Sequence, residues 1–194
     1  MKSIKLTAAA CLFLAINMTT GFAAPLAVKA KGTIKFLSDA PLEKIVGNAP
    51  STGTFTIDTS DLSAMRGEAS LQVASMKTGN DIRDEHLRGD DWLEASKYPT
   101  IKFVIKSAAA DGDLVTKGEV TGGNVVLTGD LSIHGVTKEI QAKANVKWKG
   151  DKFKITSSFS ISLADYKVQG ASGVVGKKVG KTIQLNVALK GKGA

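Results

Sequence analysis

The sequence predicts an all-β protein of about eight antiparallel strands, closed as a barrel or stacked as a sandwich. Three observations carry this. Apolar and polar residues alternate with a period of two along most of the chain. Short Gly/Asp/Asn-rich turns recur between the alternating runs. One stretch alone, "TGNDIRDEHLRGDDWLEASKYPTIKF" from Thr78 to Phe103, breaks the alternation and crowds acids, arginines, a histidine and a tryptophan together.

Residues 1–23 precede that pattern. Lys2 and Lys5 are followed by an apolar run from Leu6 to Ile16 and then by "GFAAP". A positive start, a short apolar centre and small residues at the cut are the layout of a secretory signal. Cleavage is expected after Ala23, because Gly21 and Ala23 then occupy the −3 and −1 positions. The run is too short for a membrane span, which needs about 20 apolar residues. The expected product is a periplasmic or secreted domain, residues 24–194. The only cysteine, Cys11, lies inside the signal. The domain therefore holds itself by its core and not by disulfides. Two lysines and no acid leave with the signal, so the formal net charge falls from +8 to +6. The lysines stand singly along the strands, the usual pattern of a solvated outer face. Nucleic acid is not an expected partner, though weak attraction to anionic lipid headgroups is compatible with this charge.

The strands follow in order, each with one apolar face, since successive side chains point to opposite sides of a sheet. "GTIKF" turns Ile34 and Phe36 inward, and "GTFTIDTS" Phe55 and Ile57. "ASLQVAS" contributes Leu71 and Val73, and "IKFVIKS" Ile101, Phe103 and Ile105. "VVLTGDLSIHG" contributes Val125, Leu127, Leu131 and Ile133. In "EIQAKANVKWKG" the inward set is Ile140, Ala142, Ala144, Val146 and Trp148. In "KFKITSSFSISL" it is Phe153, Ile155, Phe159, Ile161 and Leu163. "TIQLNVALKG" ends the series with Ile183, Leu185, Val187 and Leu189. "KGDK" and "HGVTK" read as hairpin turns. "AADGD", "TGGN" and the break "NAPSTG" read as further turns. The Thr78–Phe103 stretch reads as one or two helical turns near residues 79–96. Thr78 and Asp81 resemble a capping box, Gly89 suits the stop, and Pro99 leads into the next strand.

Catalytic or metal chemistry finds little support. His86 and His134 are the only histidines and lie in different segments. No zinc-type spacing or nucleophile elbow is present, and no cofactor is expected. Arg83, Asp84, His86 and Arg88 are expected to fasten the helical segment to the sheet. "GASGVVGKKVGK", Gly170 to Lys181, lacks the register of a phosphate loop and reads as a mobile loop near the barrel mouth. Small inward residues, namely Ala142, Ala144, Gly129 and Ser157, leave two options open: space for a ligand, or room for a bulky neighbour.

Two long segments carry a family resemblance. "MKTGNDIRDEHLRGDDWLEASKYPTIKF" and, after a gap, "LTGDLSIHGVTKEI" resemble the YceI-like family of secreted bacterial proteins. The likeness runs from about residue 27 to the C-terminus. It implies an eight-stranded antiparallel lipocalin-like barrel with a short helix, whose pore holds a long-chain amphiphile. Polyisoprenoids, isoprenoid quinones and fatty amides form the implied ligand class. The candidate pore lining is the inward set above without Val125, Ile133, Leu163 and Leu189. The resemblance places Arg83, Asp84, His86, Pro99, Gly129, Asp130 and Gly135 at structural motif positions. "APLAVKAKGTIKFLSDAPLEKIVG" and "LADYKVQG" depart from the family pattern in regions that shape the pore. The expectation is thus a carrier of a long apolar chain, able to make transient contact with a membrane or a membrane protein. Two rivals stand beside it: an enzyme using Asp84 and His86, and a structural protein with its interior packed shut.

Overall fold

Eight long strands close on themselves in the computed structural model, which describes residues 24–39, 43–170 and 179–194. The strands are β1 (Leu26–Asp39), β2 (Lys44–Ile57), β3 (Arg66–Gln72), β4 (Thr100–Ala110), β6 (Val120–Ile133), β7 (Val136–Lys149), β8 (Lys152–Ser162) and β9 (Thr182–Gly193). Every pairing is antiparallel, and the β4–β6 and β1–β9 ladders complete the ring. A barrel, not a sandwich, results. The expected signal, residues 1–23, and most of the Gly170–Lys181 loop lie outside the described residues.

Four expectations from the sequence need correction. "NAPSTG" is not a break, because Asn48–Gly53 runs inside β2. Asn48 exchanges both backbone hydrogen bonds with Lys77 on the side away from β1. Pro50 faces the same side, where β3 has left the ladder beyond the Ser51–Leu71 pair. Its missing N–H therefore costs no ladder bond. "TGGN" is not a turn either. It lies in β6, and the true turn is Gly118–Glu119, which joins β6 to the unexpected short strand β5 (Val115–Lys117). Val73 belongs to a 3₁₀ turn, Val73–Ser75, not to β3. The helix α1 (Asp81–Arg88) is capped by the Asn80 side chain, which accepts from the Arg83 N–H at 3.0 Å, and not by Thr78.

The β6–β7 hairpin forms as expected. Its two-residue turn has His134 at φ +49° and Gly135 at φ +71°, with Ile133 paired to Val136. A methyl group on Gly135 would lie 2.4 Å from the Tyr98 ring. Gly135→Ala should therefore lower stability by about 1–2 kcal/mol, read as a drop of a few degrees in the melting midpoint.

The interior has two apolar clusters, one toward each end. At the first end Leu62 and Met65, from the turn after β2, sit against Ile57, Val125, Val146 and Phe153. Trp148 stacks on Phe153 across the "KGDK" turn, ring centres 6.3 Å apart. These large groups close that end. At the other end, Trp92 and Leu93 from the segment after α1 pack with Leu131, Ile133, Tyr166 and Val168.

Candidate functional site

Between the packed end and α1 lies an apolar cavity of about 430 Å³. That volume falls within the range of small-molecule sites. Its deep wall is formed by Phe55, Ala69, Ile105, Leu127, Ala144, Ile155 and Leu189, and its upper wall by Phe36, Ile45, Leu71, Ile101, Leu131, Ile161 and Ile183. Polar groups collect mainly at the α1 end, where Ser38, Glu43, Thr78, Asn80, Arg83 and His86 meet the opening.

Most of the expected lining faces this space. Ile34, Phe36, Phe55, Leu71, Ile101, Phe103, Ile105, Leu127, Leu131, Ala142 and Ala144 border it, as do Ile155, Phe159, Ile161, Ile183, Leu185 and Val187. Ile57, Val146, Trp148 and Phe153 do not, because they belong to the packed end. Val73 sits in its 3₁₀ turn within the upper cluster, and Ile140 packs against that cluster without reaching the cavity. Gly129 needs a different explanation from the one its size invites. The space a side chain would fill there is taken by the Phe103 ring and the Val104 carbonyl, at 2.8 and 2.3 Å from where a Cβ would stand. It lies beside a β-bulge between Ile105 and Ser107. Ala142, Ala144 and Ser157, in contrast, border the cavity.

Several lining residues were not in the expected set. Ile133, Leu163 and Leu189 are on the inward faces that alternation identifies. Ile45 shares the parity of Phe55 and Ile57, and reading β2 through Pro50 would have found it. Met76, Val168 and Val179 come from connecting segments, where no period exists to follow.

α1 is held over the opening by a polar network centred on Asp84, which is only 1% exposed. One carboxylate oxygen accepts from the Thr78 N–H at 2.7 Å and the Thr78 hydroxyl at 2.6 Å. Lys77 Nζ lies 3.5 Å from the other oxygen. Burial alone would raise the Asp84 carboxyl, but the Thr78 hydrogen bonds and the Lys77 ammonium outweigh it and hold it below the ordinary value. Arg83 donates from Nε to Thr78 Oγ1, from one terminal nitrogen to the Thr78 carbonyl and from the other to Glu43 Oε1 at 2.5 Å. Arg88 reaches the Ala74 carbonyl at 3.4 Å. His86 stands apart from this network. Its ring is exposed at the opening, and among the described residues it makes no side-chain hydrogen bond with Asp84.

Across the opening, the β7–β8 ladder stops at the Ala144–Ser157 pair. The 3₁₀ turn Leu163–Tyr166 touches both strands beyond that point. Lys138 Nζ is 2.9 Å from Asp165, and His134 Nδ1 is 3.2 Å from the Tyr166 carbonyl. His134 is thus a turn residue that also ties this seam, with the Tyr98 ring edge-on at 5.0 Å. Asp130 pairs with Lys106 at 3.0 Å on the outer surface, and Pro99 accepts the Val73 N–H at 2.8 Å. Among the described residues, no group of three or more His, Cys, Asp or Glu side chains is arranged to hold a metal, and no helix is long and apolar enough to cross a membrane.

Comparison with known proteins agrees with this architecture. The barrel is similar to the crystal structure of BcnA from Burkholderia cenocepacia, with a TM-score of 0.69 at 18% identity, covering 83% of this chain and 95% of that one. It is also similar to a structure described as a polyisoprenoid binding domain from Saccharophagus degradans, with a TM-score of 0.64 at 18% identity, covering 87% and 99%. At these identities the likeness concerns the fold. In sequence, a UPF0312 protein of Pseudomonas savastanoi is 28% identical over 145 residues, which is 72% of this chain and 68% of the relative. A profile for the YceI-like domain matches residues 27–191. With the closed barrel, its helix-covered opening and its hairpin motif in place, the chain belongs to the YceI-like family.

Proposed function

We propose that the protein is a periplasmic binding module that holds a long apolar chain in its barrel, for carriage or storage. The observation that carries this reading is the cavity: largely apolar from the deep wall upward, blind at one end, and polar mainly around its opening. Each buried methylene is worth about 0.8 kcal/mol. Ten of them contribute on the order of 8 kcal/mol before the cost of immobilising the chain. Affinity of this kind needs few polar contacts and selects by length and shape. At the opening, Arg83 is already bonded to Glu43 and Thr78, so headgroup selection is weak. A polyisoprenoid, an isoprenoid quinone or a fatty amide fits this chemistry. The relative from Saccharophagus degradans, described as polyisoprenoid binding, supports the same class.

Catalysis is the weaker reading. Asp84 is buried and its accepting oxygen is committed to Thr78. Without a partnered base at His86, no acid–base pair is assembled.

The test is mass spectrometry of an organic extract of protein purified from its native envelope fraction. A long-chain lipid near one per protein is expected. Protein that carries no lipid, and that takes up no fluorescent long-chain probe after delipidation, would overturn the reading.

A further inference from the structure

The outer wall of the barrel carries a feature remote from the opening. β7, β8, β9 and β1 are neighbours in that order, and toward the packed end each turns two lysines to solvent. Register sets these lysines directly opposite one another. Lys149 pairs with Lys152, Lys152 with Lys192, and Lys192 with Lys29. Two residues along, Lys147 pairs with Lys154, Lys154 with Lys190, and Lys190 with Lys31. The result is two unbroken rows of four exposed ammonium groups. With strands about 4.8 Å apart and about 6.8 Å per two residues, the rows cover roughly 14 by 7 Å at the backbone. Asp151 offsets Lys192 at 3.0 Å, and Glu119 offsets Lys149. Among the described residues, the other six lysines make no ion pair.

Like charges directly opposite one another destabilise a sheet. The rows are therefore not explained by folding, and an external anionic surface is what would neutralise them. We propose that this face docks the protein on a membrane surface rich in anionic phospholipid headgroups. The two rows are built from lysine alone, without arginine or an aromatic side chain in them. Protein interfaces are depleted in lysine and anchored by aromatics and arginine. Reading or stacking nucleic-acid bases uses arginine forks and aromatic side chains, which these rows lack. A lysine acts as a hydrated point charge, which suits mobile headgroups that need no fixed geometry. Docking here leaves the opening, at the other end of the barrel, clear of the bilayer contact. If the cavity is loaded as proposed above, the mouth then stays clear of the lipid contact. The docking itself does not depend on that reading.

The test is co-sedimentation of the signal-cleaved, delipidated protein with vesicles. Phosphatidylcholine vesicles containing about one-third phosphatidylglycerol are compared with pure phosphatidylcholine, at low and at high salt. The expected result is at least tenfold stronger binding to the anionic vesicles, lost at high salt. The double reversal Lys154→Glu/Lys190→Glu should weaken that binding at least tenfold. Its melting midpoint should be equal to or above that of the parent, because the 154–190 pair stays like-charged while each glutamate now faces a lysine on its outer side, Lys147 or Lys31. The same change in net charge made by Lys35→Glu/Lys44→Glu, toward the opening, should have a far smaller effect. Equal losses in the two double variants would mean that net charge alone is read, and would overturn the proposal. So would vesicle binding unaffected by the Lys154/Lys190 change, or binding to duplex DNA in place of vesicles.

Discussion

Ala144→Phe should abolish uptake of a fluorescent long-chain probe while leaving the delipidated protein as stable as the parent to within about 1 kcal/mol. Ala144 lies midway along β7, between Val125 of β6 and Ser157 of β8, and its methyl group borders the cavity. A phenyl ring there enters unfilled space and blocks the path of a chain. The same substitution two residues further on makes the comparison sharp. Val146 is fully buried in the packed end, so Val146→Phe must displace neighbours, at a cost of about 1–3 kcal/mol. Paired melting curves and probe titrations check both. A delipidated Ala144→Phe protein that melts as low as Val146→Phe would show that no space exists at this level. Unchanged stability with unchanged probe binding would show that chains do not enter the barrel.

Asp84→Ala should cost about 3 kcal/mol, because it removes a buried carboxylate and leaves the part-buried N–H and hydroxyl of Thr78 without their charged acceptor. In a domain of this size that is a fall of roughly 6–12 °C in melting midpoint. The charge itself is tested by pH. The folded-state value of Asp84 is depressed, with burial opposing and the Thr78 and Lys77 contacts prevailing. Its contribution is therefore fully present above the unfolded value near 4, and is lost as pH falls through the lower folded value. The parent should lose stability over that acid range, and Asp84→Asn should show a flatter profile there. A parent and an Asn variant with parallel acid profiles would mean that this carboxylate does not hold α1 by its charge. Hydrogen exchange at α1 gives a local check, with faster exchange in Asp84→Ala than in the parent.

The eight barrel strands and the position of α1 were legible because alternation and turn chemistry are local. Each of the misread places depends on a contact that alternation does not show. Pro50 reads as a strand breaker until β3 is known to leave the ladder beside it. Gly122 and Gly123 read as a turn until Leu62 and Leu114 are seen to close over Gly123. Thr78 reads as a helix cap, whereas the buried Asp84 takes its hydroxyl and leaves the capping to Asn80.

Except in β4, where the bulge between Ile105 and Ser107 switches the parity, which side of the wall a strand residue faces follows from the amino-acid order alone, because successive side chains in a strand point to opposite sides. Height along the barrel does not. Ala144 and Val146 share a face and a strand, yet one borders the cavity and the other lies in the packed end, since the turn Leu62–Ala64 after β2 folds over only that end. Nor does register. The lysines of β1, β7, β8 and β9 stand singly along the chain and read as a scattered solvated face. Only the ladders between distant segments bring Lys29, Lys192, Lys152 and Lys149 into one row. Facing is a property of one strand, while height and register are properties of pairs, and pairs are decided by barrel closure and by which residues fill its ends.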